Sequence, residues 1–199
     1  MFELIVDDAI ARLRLNRPEA RNAVPLGEWA RLEAALQDAE ASGARCLLLS
    51  GVPGGAFCAG ADIADFAAFH GDPSQAAAFR RAMRYALDRL ATLAIPSVAL
   101  IEGACYGAGV ALAMACDIRV AATGAQIAIT PAKLGISYPQ EDIHRLVSLV
   151  GPGQAHRLLL SAAAISGAEA SVIGLVEIAS DAPGEAAESL ARTIVSYDR

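Results

Sequence analysis

Hydrophobic and polar positions recur at two spacings along this chain, and they divide it into strands and helices. Residues 97–116, SVALIEGACYGAGVALAMAC, set the pattern. Val98–Ile101 is a short apolar run rich in β-branched residues, and Pro96 just before it suits a strand start. A turn with Gly103, Gly107 and Gly109 follows, then an apolar helix. Leu4–Val6 and Ala11–Leu15 predict two more strands. In the second, Leu13 and Leu15 alternate with Arg12 and Arg14, as on a half-buried sheet. Trp29, Leu32, Leu36 and Ala39 recur at helical spacing, which predicts an amphipathic helix over Leu26–Ala41 ending near Gly43.

Cys46–Leu49 predicts a buried strand running into GVPGGAFCAGAD, after which Ala59–Asp62 opens a second helix-like stretch. His70–Ser74 marks a break. Phe79, Met83, Leu87 and Leu90 make the stripe of a helix from Ser74 to Leu93. Ile118–Ala121 and Gln126–Ile129 predict strands, and Thr130–Asp142 a loop rich in turn residues. Ile143, Leu146, Val147 and Val150 form a helical face that Gly151-Pro152-Gly153 interrupts and His156–Ala163 resumes. Ala168–Ile173 predicts a short helix, Leu175–Ala179 a strand and Glu185–Val195 a last helix. Strands separated by helices give an α/β class. The units Cys46–Phe66 and Ser97–Cys116 share a strand–loop–helix plan without a strict repeat. At 199 residues one domain with a real core is expected.

Composition changes this picture little. The chain is 55% hydrophobic, yet its longest uncharged stretch, Cys46–Ala61, is broken by Gly and Pro. A spanning helix needs roughly 18–20 apolar residues in a row, so no membrane span is expected. The start MFELIVDD lacks the pattern of a signal peptide. The net charge of −6, without a basic stripe, argues against nucleic acid. An anionic ligand is still compatible with local arginines. Cys46, Cys58, Cys105 and Cys116 form no CxxC pair, and with three histidines they read as small buried hydrophobes in a reducing cytoplasm, with no zinc site. His70 and His156 receive no role.

Two places carry candidate chemistry. The helix start near Ala108 leaves backbone N–H groups unpaired at the positive end of a dipole, where an anion or oxyanion can be held. The turn NRPEARNA at 16–23 carries Arg17 and Arg21, either a solvated loop or a contact for a ligand phosphate. A Rossmann fingerprint does not fit, because Leu112 stands where its third glycine should be. A P-loop is excluded by the lack of GK[ST].

NRPEARNA (16–23), AFCAGADI (56–63) and IEGACYGAGVALAMACDIRVA (101–121) together resemble the enoyl-CoA hydratase/isomerase, or crotonase, family. LGISYP (134–139), HRLVSLVG (144–151) and GLVEIA (174–179) continue the match in order, over residues 2 to about 197. The resemblance implies a crotonase spiral of ββα units in one domain, assembled as a homo-trimer or hexamer. It implies an acyl-CoA or carrier-protein thioester as ligand, coenzyme A being part of the substrate, with no metal or redox cofactor. The thioester oxygen is expected on the N–H groups of Ala61 and Ala108. Ala59, Gly60, Asp62, Ile63, Gly107, Gly109 and Pro131 are expected around it. Many relatives have glycine at position 108; here the donor is kept and the added methyl makes the turn less free.

The chain departs from the family in three ways. The two glutamates that hydratases use fall at Ala111 and Pro131, neither of which moves a proton. Glu141 and Asp142 stand where many hydratases have a glycine pair. With Tyr138 and His144 this stretch resembles the methylmalonyl-CoA decarboxylase branch, in which a tyrosine of this loop lies at the active site. Decarboxylation needs an oxyanion hole and an apolar place for the carboxylate, not the glutamate pair. Tyr138 is expected to orient the carboxylate or supply a proton, unless it caps a core edge. His144 can equally lie on the polar face of its helix, Glu141 and Asp142 can be acidic caps, and Asp62 can cap the helix that follows it. Thirdly, relatives continue into further helices past the point where this chain ends, which leads one to expect a more open site or an exposed apolar surface. The residues thus point to a thioester enolate enzyme with decarboxylation preferred. Hydration or isomerisation by substitute residues comes next, and a catalytically silent acyl-CoA-binding or assembly protein is the rival.

Overall fold

The computed structural model describes residues 1–64 and 72–197. The part of the predicted second helix beyond Ala64, and the break at residues 70–71 with His70, lie outside the described residues. Six strands form the main sheet: β1 (Phe2–Asp7), β2 (Ile10–Leu15), β3 (Cys46–Ser50), β4 (Ser97–Ile101), β6 (Ile118–Ala122) and β9 (Ile178–Ser180), in the order β1-β2-β3-β4-β6-β9. The β1–β2 hairpin is antiparallel and every other pair is parallel. Three short strands, β5 (Cys105–Tyr106), β7 (Gln126–Ala128) and β8 (Ile165–Ser166), make a second small sheet. The helices are α1 (Trp29–Ala41), α2 (Pro73–Ala91), α3 (Ala108–Ala115), α4 (Gln140–Ser161), α5 (Gly167–Val172) and α6 (Pro183–Ser196).

The centre of the main sheet is buried on both faces, which is why β3 and β4 read as nearly unbroken apolar runs. Alternate residues still go to different sides. Leu47, Leu49, Ala99 and Ile101 face the larger core under α1, α2 and α3. Cys46, Leu48, Val98 and Leu100 pack on Ala187, Ala191 and Val195 of α6. Arg12, one of the two arginines of β2, reaches Glu188 of α6 at 2.5 Å.

The spiral expected from the family resemblance is visible in the strand pattern. β4 leads to β5 and then α3; β6 leads to β7 and then α4. The first turn has the same plan in reduced form: β3 leads to Cys58, which bridges Cys105 in the small sheet, and the chain turns helical at Ile63. This shared plan explains why the two glycine-rich units looked alike.

Several boundaries differ from the sequence reading. Leu26–Glu28 is a 3-10 turn and the α-helix begins at Trp29. Ala61 is a β-bridge partner of Val24 rather than a helix start. Pro131–Leu134 is a 3-10 turn, and α4 already begins at Gln140, so Glu141 and Asp142 stand in its first turn. Gly151, at φ +73 and ψ 166, breaks α4 where the Gly-Pro-Gly sequence predicts a break. Leu175 and Val176 are buried but precede β9, which is shorter than expected. Among the described residues no helix is long and apolar enough to cross a membrane. All four cysteines are free and buried. Burial pushes the Cys58 and Cys116 thiols up to about 12.

Candidate active site

Two loop-to-helix turns meet at the mouth of the fold. In the first, Val24 and Ala61 form a parallel bridge: Val24 N–H donates to Gly60 O at 2.8 Å and Asp62 N–H to Val24 O at 3.0 Å. In a parallel ladder the bridge residue itself points its N–H away from that partner. The Ala61 N–H therefore faces the opposite side, and among the described residues it has no hydrogen-bond acceptor. In the second turn, Gly107 takes φ +53 and ψ −115, a conformation that disfavours a side chain, and α3 starts at Ala108. As a first-turn residue Ala108 has no intrahelical partner for its N–H, and among the described residues it finds no other. Its own φ is not positive. The methyl of Ala108 thus causes no backbone strain, because Gly107 absorbs the turn.

The turns abut. A Cβ placed on Gly60 would stand 2.9 Å from the Tyr106 carbonyl oxygen and 3.3 Å from Ala108 N. Behind them, a Cβ on Gly109 would fall 2.3 Å from the Cys58 carbonyl oxygen, so only glycine lets α3 pack this close to the small sheet. Gly109 thus supports the site from behind and does not line the cavity.

Ala61 and Ala108 both line a cavity of ≈ 580 Å³. Ala59, Gly60, Ile63 and Gly107 line it beside them. Ala111 and Pro131 form part of its wall, with Phe79, Met83, Leu134, Tyr138 and Asp142. The exposed Arg80 of α2 also borders it. The two positions expected to hold glutamate in a hydratase therefore face the same space as the two N–H groups, and both are aliphatic.

The other predicted site residues divide. The Tyr138 hydroxyl donates to Gly107 O at 3.1 Å, and the side chain is buried. Burial drives its pKa well above the usual phenol value, so it stays a neutral donor. In this structure its proton is therefore spent on holding the Ala108 turn. Val110 and Ala111 N–H groups bond the same carbonyl, so removing the hydroxyl leaves no orphan. Tyr138→Phe is expected to cost about 1 kcal/mol or less and to lower turnover by less than about tenfold. Thermal melts and initial rates check this; a loss as large as that from removing a donor N–H would make the phenol the proton source instead.

Arg17 does not line the cavity. Its Nη1 bonds Asp62 Oδ2 at 2.5 Å and Ala23 O at 3.0 Å. Asp62 also lies outside the cavity wall and accepts from Ala64 N–H at 3.0 Å, as a helix cap does. The Arg17 guanidinium, more than that cap bond, holds its carboxyl below the usual range. Arg21 is exposed, and its carbonyl accepts from Ala59 N–H at 2.9 Å. The NRPEARNA loop thus acts as an outer brace for the Ala61 turn. His144 is exposed on α4 and away from the cavity. Glu141 is also exposed, while its neighbour Asp142 is fully buried and lines the cavity.

One supporting residue escaped the sequence reading. Asn22 is buried; its Nδ2 donates to Ala56 O at 2.7 Å and Phe57 O at 3.2 Å, and its Oδ1 accepts from Arg17 N–H at 2.8 Å. It ties the brace to the segment that leads into Ala61.

Known proteins resemble this chain in sequence and fold. The profile of the family described as enoyl-CoA hydratase/isomerase matches residues 6–195. An enoyl-CoA isomerase/hydratase of Zymoseptoria tritici is 34% identical over 172 residues, 84% of this chain and 56% of that protein. Mouse mitochondrial methylglutaconyl-CoA hydratase is 33% identical over 168 residues, 84% of this chain and 53% of that protein. This chain thus spans about half the length of these two relatives. The crystal structure of an enoyl-CoA hydratase/carnithine racemase from Magnetospirillum magneticum superposes with a TM-score of 0.93 at 30% identity, covering 98% of this chain and 74% of that one. With its profile matched over nearly the whole length and its crotonase fold reproduced, this chain belongs to the enoyl-CoA hydratase/isomerase family.

Proposed function

We propose that the chain transforms an acyl-CoA or carrier-protein thioester through an enolate held by the Ala61 and Ala108 N–H groups, and that its preferred reaction is decarboxylation of a 2-carboxyacyl thioester. The observation that carries this reading is the pairing, in one cavity, of two N–H donors that are unpaired among the described residues with aliphatic walls at Ala111 and Pro131. Hydration across a double bond needs one group to activate water and another to deliver a proton. Here the glutamate positions offer neither. In decarboxylation the electron pair of the breaking C–C bond flows into the thioester, so stabilising the oxyanion is the main demand. An apolar wall further favours loss of a carboxylate's charge. The reaction needs neither a metal nor a redox group, because the thioester itself takes the electrons.

The same family resemblance suggests a homo-trimer or hexamer, and the unpaired cysteines suggest a cytoplasmic setting. A second reading, a silent acyl-CoA-binding or assembly protein, is favoured by the same aliphatic walls. Mass spectrometry of the protein with crotonyl-, 3-enoyl-, malonyl- and methylmalonyl-CoA separates these readings. Loss of carbon dioxide from the malonyl-type thioesters is the expected result. Gain of water by crotonyl-CoA, or a shifted double bond in the 3-enoyl thioester, would replace decarboxylation by hydratase or isomerase chemistry. Binding without any turnover would favour the silent protein.

A further inference from the structure

Asp142 is the only acidic side chain in the buried class among the described residues. Its two oxygens are treated very differently. Oδ1 accepts from Arg84 Nη1 at 3.1 Å and from Arg145 Nη1 at 3.2 Å. Oδ2 is buried and, among the described residues, has no hydrogen-bond partner. A carboxylate kept only for structure normally has both oxygens satisfied, since an orphaned buried acceptor is costly. Asp142 leaves one free while lining the cavity that holds the two oxyanion donors. Tyr138, which pins the Ala108 turn, also lines that cavity and lies close enough for the Asp142 charge to act on it.

Resting on the enolate reading above, we propose that Asp142 is the proton carrier of this cavity, its Oδ2 exchanging a proton with the carbon next to the thioester carbonyl. In the decarboxylation the C–C bond to the carboxyl group breaks and its electron pair forms the enolate, with the oxygen on Ala61 and Ala108 N–H. The α-carbon then takes the proton from Oδ2: a C–H bond forms, the O–H bond breaks, and the enolate returns to a thioester carbonyl. Asp142 is left as a carboxylate beside Arg84 and Arg145, and water returns its proton. The two arginines on Oδ1 stabilise that charged form. Burial acts against them and outweighs them, so the carboxyl titrates above its ordinary range. The acid form is thereby available nearer neutral pH than for an exposed aspartate. The roles of the missing glutamates are thus reduced to one and moved from α3 and the Pro131 turn to the first turn of α4.

The test follows hydrogen at the α-carbon. Propionyl-CoA incubated with the protein in D2O is expected to gain α-deuterium, because abstraction and return by Asp142 need no leaving group. Asp142→Asn keeps the shape and the Oδ1 acceptor but cannot carry a proton. It is expected to slow exchange by about 100-fold or more, with propionyl-CoA affinity changed by less than about twofold. If Asp142→Asn fails to fold, the wild-type pH profile serves. The groups acting on Asp142 are Arg84 on α2, Glu141 and Arg145 on α4, and Tyr138 before it; Asp88 of α2 bonds both arginines, and Arg80 borders the same cavity. Abstraction needs the carboxylate, so exchange should rise with pH to a plateau, with a midpoint above the usual aspartate value of about 3.9. A flat profile, no wild-type exchange, or exchange undiminished in Asp142→Asn would overturn the assignment. If carbon dioxide is still lost in any of those cases, the decarboxylase reading stands without Asp142. If Asp142-dependent exchange occurs but no thioester loses carbon dioxide, the proton carrier stands and decarboxylation falls.

Discussion

Ala108→Pro is expected to lower turnover by about 10²–10³-fold while leaving the fold nearly as stable as before. Ala108 is the first residue of α3, and its φ is not in the left-handed region. Proline is favoured at that helical position because the N–H it lacks has no intrahelical partner. Gly107 before it has no Cβ to clash with the new ring. Among the described residues the Ala108 N–H bonds nothing, so no structural hydrogen bond is lost. On the proposed enolate reading, what disappears is a donor to the thioester oxygen, and one such donor is worth about 3–4 kcal/mol in the transition state. Rates with whichever thioester proves to be the substrate, beside melting curves, check this. Ala108→Gly is the control: it keeps the N–H and should retain most activity. A folded Ala108→Pro protein with wild-type rates would remove Ala108 from the oxyanion hole.

This prediction could be framed from the sequence, because its basis is local. A β-branched run, a glycine turn and an apolar helix lie within twenty residues, and each imposes its own backbone geometry. The longer elements were legible for the same reason: β3, β4 and α2 carry enough periodic apolar residues to declare themselves. The two-residue strands β5 and β8 were not, since they exist only through pairing with distant backbone, β7 for both and Cys58 for β5 as well. The site was legible at the positions that use backbone groups and obscure where side chains matter. Sequence placed Glu141 and Asp142 together; the first turn of α4 sends one to solvent and the other into the cavity. Arg84 and Arg145 both bond Asp142, whereas Glu141 comes only within 4.0 Å of Arg84, and Arg84 lies 58 residues earlier than Asp142. Arg17 could be read as a solvated-loop residue or a phosphate contact, because its partner Asp62, 45 residues away, was not identifiable from spacing. His144 follows the bland reading, the polar face of its helix.

Asn22 is the clearest case of a residue whose importance depends on distant backbone, and its replacement should have the largest effect on stability. Asn22 sits at φ +58, which asparagine tolerates better than most residues. Its amide supplies two donors to Ala56 O and Phe57 O and one acceptor to Arg17 N–H. Asn22→Ala leaves these three backbone groups, one buried and two part-buried, without that partner and should cost about 2–4 kcal/mol. Asn22→Asp has nearly the same shape but should be worse at neutral pH. An ionised carboxylate would place its second oxygen against two carbonyl oxygens, with no hydrogen between them. An uncompensated buried charge of this kind costs about 3–5 kcal/mol, which for a chain of this size means a melting point lower by roughly 6–20 °C. The sign of its pH dependence follows. Burial against acceptors raises the new carboxyl's pKa in the folded state, so both states are protonated well below about pH 3.9, where the damage is least. As pH rises, the unfolded chain ionises first and the folded state loses ground until the folded group ionises too. Melting curves of wild type, Asn22→Ala and Asn22→Asp across the acid range test this directly. A loss for Asn22→Asp that stayed constant with pH would mean the side chain reaches solvent. Because the tethered segment runs directly into Ala61, turnover should fall with stability in both variants; if it did not, the brace would serve the fold and not the oxyanion turn.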